Sequence, residues 1–228
     1  MKPLGGKAYG SIPHLPGSRR DESDKLLNDG QVRMLTTERK DRKHDKIIVQ
    51  EKLDGSCVSV ARIDGEIKIL GRAGYELHTS SYRQHHMFVD YVYSNISRFD
   101  ELLEDNERVV GEWLAMAHGI KYTLSYGQEP FVPFDIMTGA KRVPYDEFEE
   151  RVTSQCFTTP HLIHRGCPYP LEIAKGHTKS KHGGEFSEGV VYRLETNGEV
   201  NFLAKWVNPR HICGKYFDSE NIVWNIQT

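Results

Sequence analysis

At 228 residues the chain can bury a sizeable core and reads as one large domain with at most a small appendage. Lys+Arg 30 against Asp+Glu 32 leaves a formal net charge of −2, which excludes whole-molecule attraction to nucleic acid and confines any such contact to a local patch. No apolar run approaches the ~18 residues of a membrane span, the start at Met1 lacks the apolar core of a signal peptide, and Cys57, Cys156, Cys167 and Cys213 form no disulfide framework, so a cytoplasmic chain with reduced thiols is expected.

Residues 1–28 are rich in Gly, Pro and Ser, which predicts an extended or turned lead-in draped over the core. A candidate basic patch follows from Arg33 to Lys46, with Arg39, Lys40, Arg42 and Lys43 diluted by Asp41 and Asp45. From Lys46 the pattern turns to β. Ile47 to Val49 lead into Lys52, and Cys57 to Ile63 alternate towards Asp64-Gly65, a hairpin turn signal from which Glu66 to Leu70 return. Arg72 stands just past this hairpin, where strand pairing can bring it back towards Lys52. Tyr82, Met87, Phe88, Tyr91, Val92 and Ile96 recur at helical spacing, predicting an exposed helix over Ser81 to Ile96, then a helical turn in the acidic stretch Asp100 to Glu107.

Strands are predicted again over Arg108 to Ala115 and Phe131 to Met137, and a helix over Tyr145 to Val152. Cys156, His161, His164 and Cys167 are residue types that zinc accepts, but the spacing is not that of a common zinc site, and Pro160 and Pro168 indicate an ordinary loop. Lys175, Lys179 and Lys181 make a second, loop-like basic patch before His182. Gly189 to Leu194 then pairs with Val200 to Ala204 across Asn197-Gly198. Mixed strands, antiparallel hairpins and few helices argue for α+β, not a doubly wound parallel sheet.

The most informative stretch is Glu51-Lys52-Leu53-Asp54-Gly55-Ser56, a lysine two residues before Asp-Gly at a strand end. Downstream, in order, stand Gly71-Arg72, Val110-Gly111-Glu112-Trp113, Pro133-Phe134-Asp135-Ile136, Glu188-Gly189-Val190-Val191-Tyr192-Arg193 and Leu203-Ala204-Lys205-Trp206. The set resembles the signature of the lysine-dependent ligase and mRNA-capping superfamily. Its Glu-Lys-Leu-Asp-Gly and Phe-Asp-Ile forms most resemble ATP-dependent RNA ligases, particularly the nick-sealing, double-strand-repair branch. The resemblance runs from Ile47 to Val207. It implies a nucleotidyltransferase (ATP-grasp-like) domain, two antiparallel sheets with flanking helices around an ATP cleft. The expected division is an N-terminal extended segment over residues 1–45, a catalytic domain over 46–207 and a short tail over 208–228, with no appended oligonucleotide-binding barrel.

The resemblance also implies a chemistry: ATP-dependent joining of 5′-phosphate and 3′-hydroxyl RNA ends through lysyl-AMP and an adenylated end, in RNA repair. ATP is then a substrate, Mg²⁺ or Mn²⁺ the cofactor, and nucleic acid the partner of a monomer, with room for an accessory protein to supply a duplex clamp. Lys52 would be the nucleophile. An ammonium cannot attack, and the ordinary lysine pKa is about 10.4, so nearby positive charge or desolvation should favour the amine, with Lys205 and a metal as candidates. Lys205 would contact the α-phosphate, and a lysine on so apolar a strand should have a charged partner. Arg72 would touch the ribose or the incoming phosphate. Glu188 and Glu112 would serve the metal, Glu112 alternatively the ribose hydroxyl, since a carboxylate in a β run is costly unless engaged.

By the same resemblance Phe134 would stack on the purine, Glu51 would read the adenine edge, and Asp54 would fix the loop near the ribose. Gly55 would keep a β-carbon from colliding beneath the nucleotide. Many relatives carry a second lysine where this chain has Val207, and Arg210 or Lys215 are the expected substitutes. Lys121, Arg165, His177 and Arg193 are polar residues without a motif. Rival readings are a small ATP-dependent DNA ligase, a capping guanylyltransferase, adenylyl transfer to an acceptor that is not nucleic acid, and a nucleotide-binding end-recognition module without ligation activity. Intact Lys52, Glu188 and Lys205 argue against the last.

Overall fold

The computed structural model describes residues 1–38, 40–217 and 222–226, so Arg39 of the first basic patch lies outside the described residues. In chain order its elements are α1 (Asp29–Thr36), β1 (Asp45–Lys52), β2 (Ser56–Ile63), β3 (Glu66–Gly71), a 3-10 turn (Leu77–Thr79), α2 (Arg83–Ser94), α3 (Ile96–Leu102), β4 (Glu107–Trp113) and β5 (Phe131–Thr138). There follow β6 (Lys141–Arg142), α4 (Tyr145–Ser154), β7 (Leu162–Gly166), α5 (Leu171–Lys175), β8 (Gly189–Thr196) and β9 (Glu199–Val207). The strands form two antiparallel sheets, ordered β7-β1-β8-β9 and β3-β2-β4-β5-β6. This is the expected α+β architecture. Both hairpin turns form as their residues dictate, with Asp64-Gly65 and Asn197-Gly198 all at positive φ. No helix among the described residues is long and apolar enough to cross a membrane.

Each sheet buries one face beneath helices. Val58, Val60, Val109, Phe131 and Ile136 of the five-stranded sheet pack with Phe88 and Val92 of α2, Phe99 and Leu102 of α3, and Phe148 and Val152 of α4. The helix expected to be exposed therefore presents its apolar stripe to the core, and the helical turn expected over Asp100 to Glu107 is instead α3, which starts earlier to bury Phe99. The outer face of the four-stranded sheet (Ile47, Val49, Val190, Tyr192, Leu194, Ala204, Trp206) packs with Leu35 of α1 and Ala174 of α5. Three short elements are not legible as patterns. At α1, Asn28 and Gln31 make a reciprocal capping box, α5 is a bare turn, and β7 replaces the loop expected around His161 and His164 because it pairs with β1.

The N-terminal segment straps the two sheets together. Ala8 and Tyr9 N–H donate to the Arg72 carbonyl after β3, while Lys205 N–H donates to Pro13 and Leu15 N–H to Lys205, covering the outer edge of β9. A second tie is electrostatic. Asp135 of β5 is 0% exposed and accepts from Arg193 Nη2 of β8 at 2.5 Å, Arg142 Nε at 2.9 Å and the Tyr9 hydroxyl at 2.9 Å. Arg193 also donates to the Phe134 and Val143 carbonyls, so one buried carboxylate joins both sheets and the strap.

Removing one partner of a buried pair leaves an uncompensated charge, so Asp135→Ala should lower stability by about 3–5 kcal/mol in urea unfolding; a loss below about 1 kcal/mol would rank the clamp with surface pairs. Two buried histidines, His14 on the strap and His182 in the loop before β8, carry a pH dependence. Burial, reinforced by Lys205 and opposed by Asp24, lowers His14 to about 4, and burial with His161 lowers His182 to about 4. Unfolded imidazoles protonate near 6.5, so this stability is present above about 6.5 and lost as pH falls towards 4. Thermal midpoints should fall less steeply over that window in His14→Asn and His182→Asn than in wild type. Unchanged slopes in both would assign the acid loss to other groups.

Candidate active site

Register decides which side chains meet. Lys52 lies opposite Gly189 across β1 and β8, and Lys205 opposite Val191 across β8 and β9. The strand period of two then puts Gln50, Lys52, Val191, Arg193, Leu203 and Lys205 on one face. Across from it stand Cys57, Glu112 and Phe134 of the other sheet, and a cavity of about 760 Å³ lies between, within the range of about 300–1,000 Å³ of small-molecule sites. Glu51, Lys52, Asp54, Gly55, Arg72, Glu112, Phe134 and Lys205 all line it. Glu188, which precedes β8, joins through Lys52, whose Nζ donates to its Oε2 at 2.7 Å and to the Leu53 carbonyl at 3.3 Å.

The charges at Lys52 are the reverse of those expected. Burial would lower its ammonium, but Glu188, Glu112 and Asp54 outweigh it and raise the pKa. Burial pushes Glu112 up to about 7 against the pull of Lys52, and it raises Glu188 for the same reason. Asp54 goes the other way: burial is outweighed by the His211 ring, Lys52 and the Gly119 amide, which hold it below the usual range. Three carboxylates thus surround one lysine. Lys205 differs, because burial lowers it and Lys52 adds to the effect. Among the described residues it makes no ion pair, the acids acting on it being Asp24 and Glu188, which pull its pKa the other way, and it lines the cavity. Among the described residues Arg72 likewise makes no ion pair, its guanidinium donating to Ser11 Oγ at 3.2 Å.

Phe134 owes its place to a β-bulge. Val110 pairs with Asp135 and Gly111 with Pro133, so Phe134 is the extra residue on β5. Pro133 has no N–H to give the ladder, and a bulge re-aims the local side chain. Tyr9 meets the Phe134 ring edge-on, with centroids 5.2 Å apart and planes at 69°. This second aromatic wall was not foreseen, since Tyr9 stands alone in a Gly-rich lead-in.

The Asp-Gly turn is fastened from several sides. Asp54 N–H donates to the Tyr122 hydroxyl at 2.9 Å, while Asp54 Oδ2 accepts from Gly119 N–H at 2.6 Å and Ile120 N–H at 2.9 Å. Gly55 N–H donates to Glu112 Oε1 at 2.9 Å. A β-carbon at Gly55 would lie 2.5 Å from the Trp113 carbonyl oxygen, so the protein's own β4, not a nucleotide, requires glycine there. Glu51 is buried with Oε2 accepting Lys181 N–H at 2.9 Å, and burial raises its pKa against that bond and Ser180.

Among the described residues, the one group with metal-ligand spacing is Asp54, Glu188 and His211, whose donor atoms lie within 4.8 Å of one another. Glu112 is outside it, and Cys156, His161, His164 and Cys167 do not converge. Neither expected substitute for a second lysine lines the cavity. Lys215 is engaged with Glu185 and Tyr216. Of the unassigned polar residues, Arg193 lines the cavity as part of the Asp135 clamp, whereas Arg165 pairs with Asp146 and Glu149. In the basic patches Arg42 pairs with Asp45, Lys46 with Asp146 and Lys175 with Glu172. Tyr122 and His211 carried no motif, and only folding brings them to Asp54.

No curated protein matches the chain. Solved structures of an RNA ligase from Naegleria gruberi are similar to it. A glutamate-to-alanine variant with ATP and Mn superposes with TM-score 0.56 at 18% identity, covering 90% of this chain and 58% of that one. The same ligase with PPi gives 0.56 at 18%, covering 86% and 59%, and a lysine-to-methionine variant with AMP and Mn gives 0.55 at 18%, covering 89% and 58%. The chain thus spans less than two thirds of these relatives' length, and at this identity the likeness concerns the fold. The RNA ligase family profile matches residues 45–207, the stretch that carries both sheets and Lys52, Glu188 and Lys205, and the chain belongs to the RNA ligase family.

Proposed function

We propose that this chain is an ATP-dependent RNA ligase that joins 5′-phosphate and 3′-hydroxyl ends through a covalent Lys52–AMP. The observation that carries the reading is the charge pattern of one cavity: Lys52 hydrogen-bonded to Glu188 at 2.7 Å, with Lys205 and Arg72 lining the same space without acidic partners. A nucleophile needs an acceptor for its proton, and a triphosphate needs unpaired cations. That the similar Naegleria ligase has been seen with ATP, AMP and PPi supports the same ligand class here.

In the first step the Lys52 ammonium gives up a proton, for which Glu188 Oε2 is the nearest carboxylate oxygen. The amine then attacks the α-phosphorus of ATP. A P–N bond forms, the bond to the bridging oxygen breaks, and pyrophosphate leaves with the electron pair. Lys205 and Arg72 balance the charge that builds on the phosphoryl oxygens, and Phe134 with Tyr9 grips the base. Asp54 and Glu188, which with His211 have metal-ligand spacing, fit a divalent cation, which when bound would neutralise phosphate charge and weaken the hold of the site on the lysine proton. A 5′-phosphate of RNA next takes the AMP from Lys52, and attack by a 3′-hydroxyl joins the ends and releases AMP. A nicked duplex met during RNA repair is the substrate the motif forms favour.

Incubation with α-labelled ATP and Mg²⁺ should leave label on the denatured protein, chaseable onto a nicked 5′-phosphate RNA, and Lys52→Ala should abolish it. Label retained by Lys52→Ala would sink the assignment of the nucleophile, and chase onto DNA ends alone would favour the DNA-sealing alternative. Loss of stacking of about 1–3 kcal/mol in Phe134→Ala should raise the KM for ATP roughly 5- to 150-fold while adduct formation survives at saturating ATP. An unchanged KM would remove Phe134 from base binding.

A further inference from the structure

Arg108 is a buried charge that the cleft beside Lys52 does not use. On β4 the period of two points Arg108, Val110 and Glu112 to the same face of the five-stranded sheet. Glu112 lines the Lys52 cavity, whereas Val110 packs with Tyr9 of the strap. Arg108 lies past that contact, about 13 Å along the strand from Glu112, and lines a second cavity of about 750 Å³. The strap therefore divides one sheet face into two chambers.

The charge of the second chamber is one-sided. Lys7, Arg108 and Arg142 line it, and among the described residues no carboxylate does. Arg108 is 5% exposed, and its donors go to uncharged acceptors: Nε to the Ala8 carbonyl at 2.7 Å, Nη2 to the Gly139 carbonyl at 2.7 Å and to Met137 Sδ at 3.5 Å. Among the described residues it makes no ion pair. Its Nη1 makes no hydrogen bond among them and is not sealed from solvent. Asp135 acts on it through space, but that carboxylate is already held by Arg193, Arg142 and Tyr9. Burial accordingly lowers the Arg108 pKa despite Asp135. A buried charge is costly unless compensated, and an anion in the chamber would compensate it.

We infer that the chamber between the strap and the β5–β6 hairpin binds a phosphate-bearing ligand, its phosphate held by Arg108, Arg142 and Lys7. Guanidinium groups match phosphate oxygens in geometry as well as charge, and Lys7 adds an exposed ammonium at the rim. The volume falls in the range of about 300–1,000 Å³ of small-molecule sites, more than inorganic phosphate alone would fill. Leu4, Ile63 and Met137 supply an apolar wall for the rest of the ligand. A free nucleotide and a phosphate of an RNA strand present the same group to these three side chains.

The test follows Arg108 itself in the full chain. Its side-chain Nε–H resonance, assigned by correlation to its own backbone, is titrated with inorganic phosphate, with AMP and with a single-stranded RNA hexamer lacking a 5′-phosphate. AMP or the hexamer should shift it saturably and at lower concentration than phosphate, while chloride at equal ionic strength leaves it in place. Whichever of the two acts at the lower concentration identifies the source as a free nucleotide or a strand. Lys7→Glu, at an exposed position, should weaken that response roughly 10-fold, and Lys205→Ala, which acts in the other cavity, should leave it unchanged. No shift with any of the three probes, an equal shift with chloride, an undiminished response in Lys7→Glu or a lost response in Lys205→Ala would each overturn the site. The readout needs neither ATP nor Lys52, so its failure and the failure of covalent labelling are separate outcomes.

Discussion

The cleft exists because Asp135 holds its two walls together. A carboxylate with no solvent access is tolerated only when its lone pairs are filled, and here the donors come from three separate parts of the chain: Arg193 on β8, Arg142 on β6 and Tyr9 on the strap. Arg193 and Tyr9 also line the cavity, so the interaction that closes the fold also shapes part of the site. The Phe134 bulge sits beside Asp135 on β5 and shares Arg193 through its carbonyl. A change at this clamp reaches the aromatic wall and the sheet spacing together.

At the opposite end the electrostatics are divided. Lys52 is surrounded by Asp54, Glu112 and Glu188, whereas Lys205 and Arg72 line the same cavity and make no ion pair among the described residues. One half of the cleft attracts cations and the other anions. A nucleotide bearing a divalent ion is a ligand with that polarity, and phosphoryl transfer depends on positioning and charge stabilisation more than on covalent groups from the protein. The surrounding carboxylates raise the pKa of Lys52, so the proposed attack requires that their pull on its proton be weakened.

Much of this was legible in the residue pattern. The two hairpin signals indicated an antiparallel α+β fold, and the lysine before Asp-Gly with the downstream motifs in order, through the family they resemble, implied two antiparallel sheets and named most of the side chains that line the cavity. Local turn chemistry and period-two alternation are short-range properties, and both hairpins form where they point. Helix α1, strand β7 and helix α5 were not legible, because each is too short to show periodicity and owes its existence to a capping box, a neighbouring strand or a covering role. The helix α2 was legible, but its burial was not, since one amphipathic pattern serves either a core or an exposed face.

By itself the sequence determined the chemical inventory: lysines, an arginine and carboxylates on strands whose register puts them within reach. Tertiary structure alone decided their partners. Lys52 meets Glu188 because β1 and β8 pair it with Gly189, Lys205 makes no ion pair among the described residues, and Gly55 is required by the Trp113 carbonyl. Tyr9 comes to the cavity wall, and Tyr122 and His211 to Asp54, from distant segments with no motif around them. The physical reason is range: alternation and turns are set by neighbours a few residues apart, whereas burial, ion pairing and pKa depend on what the folded chain brings within a few ångströms.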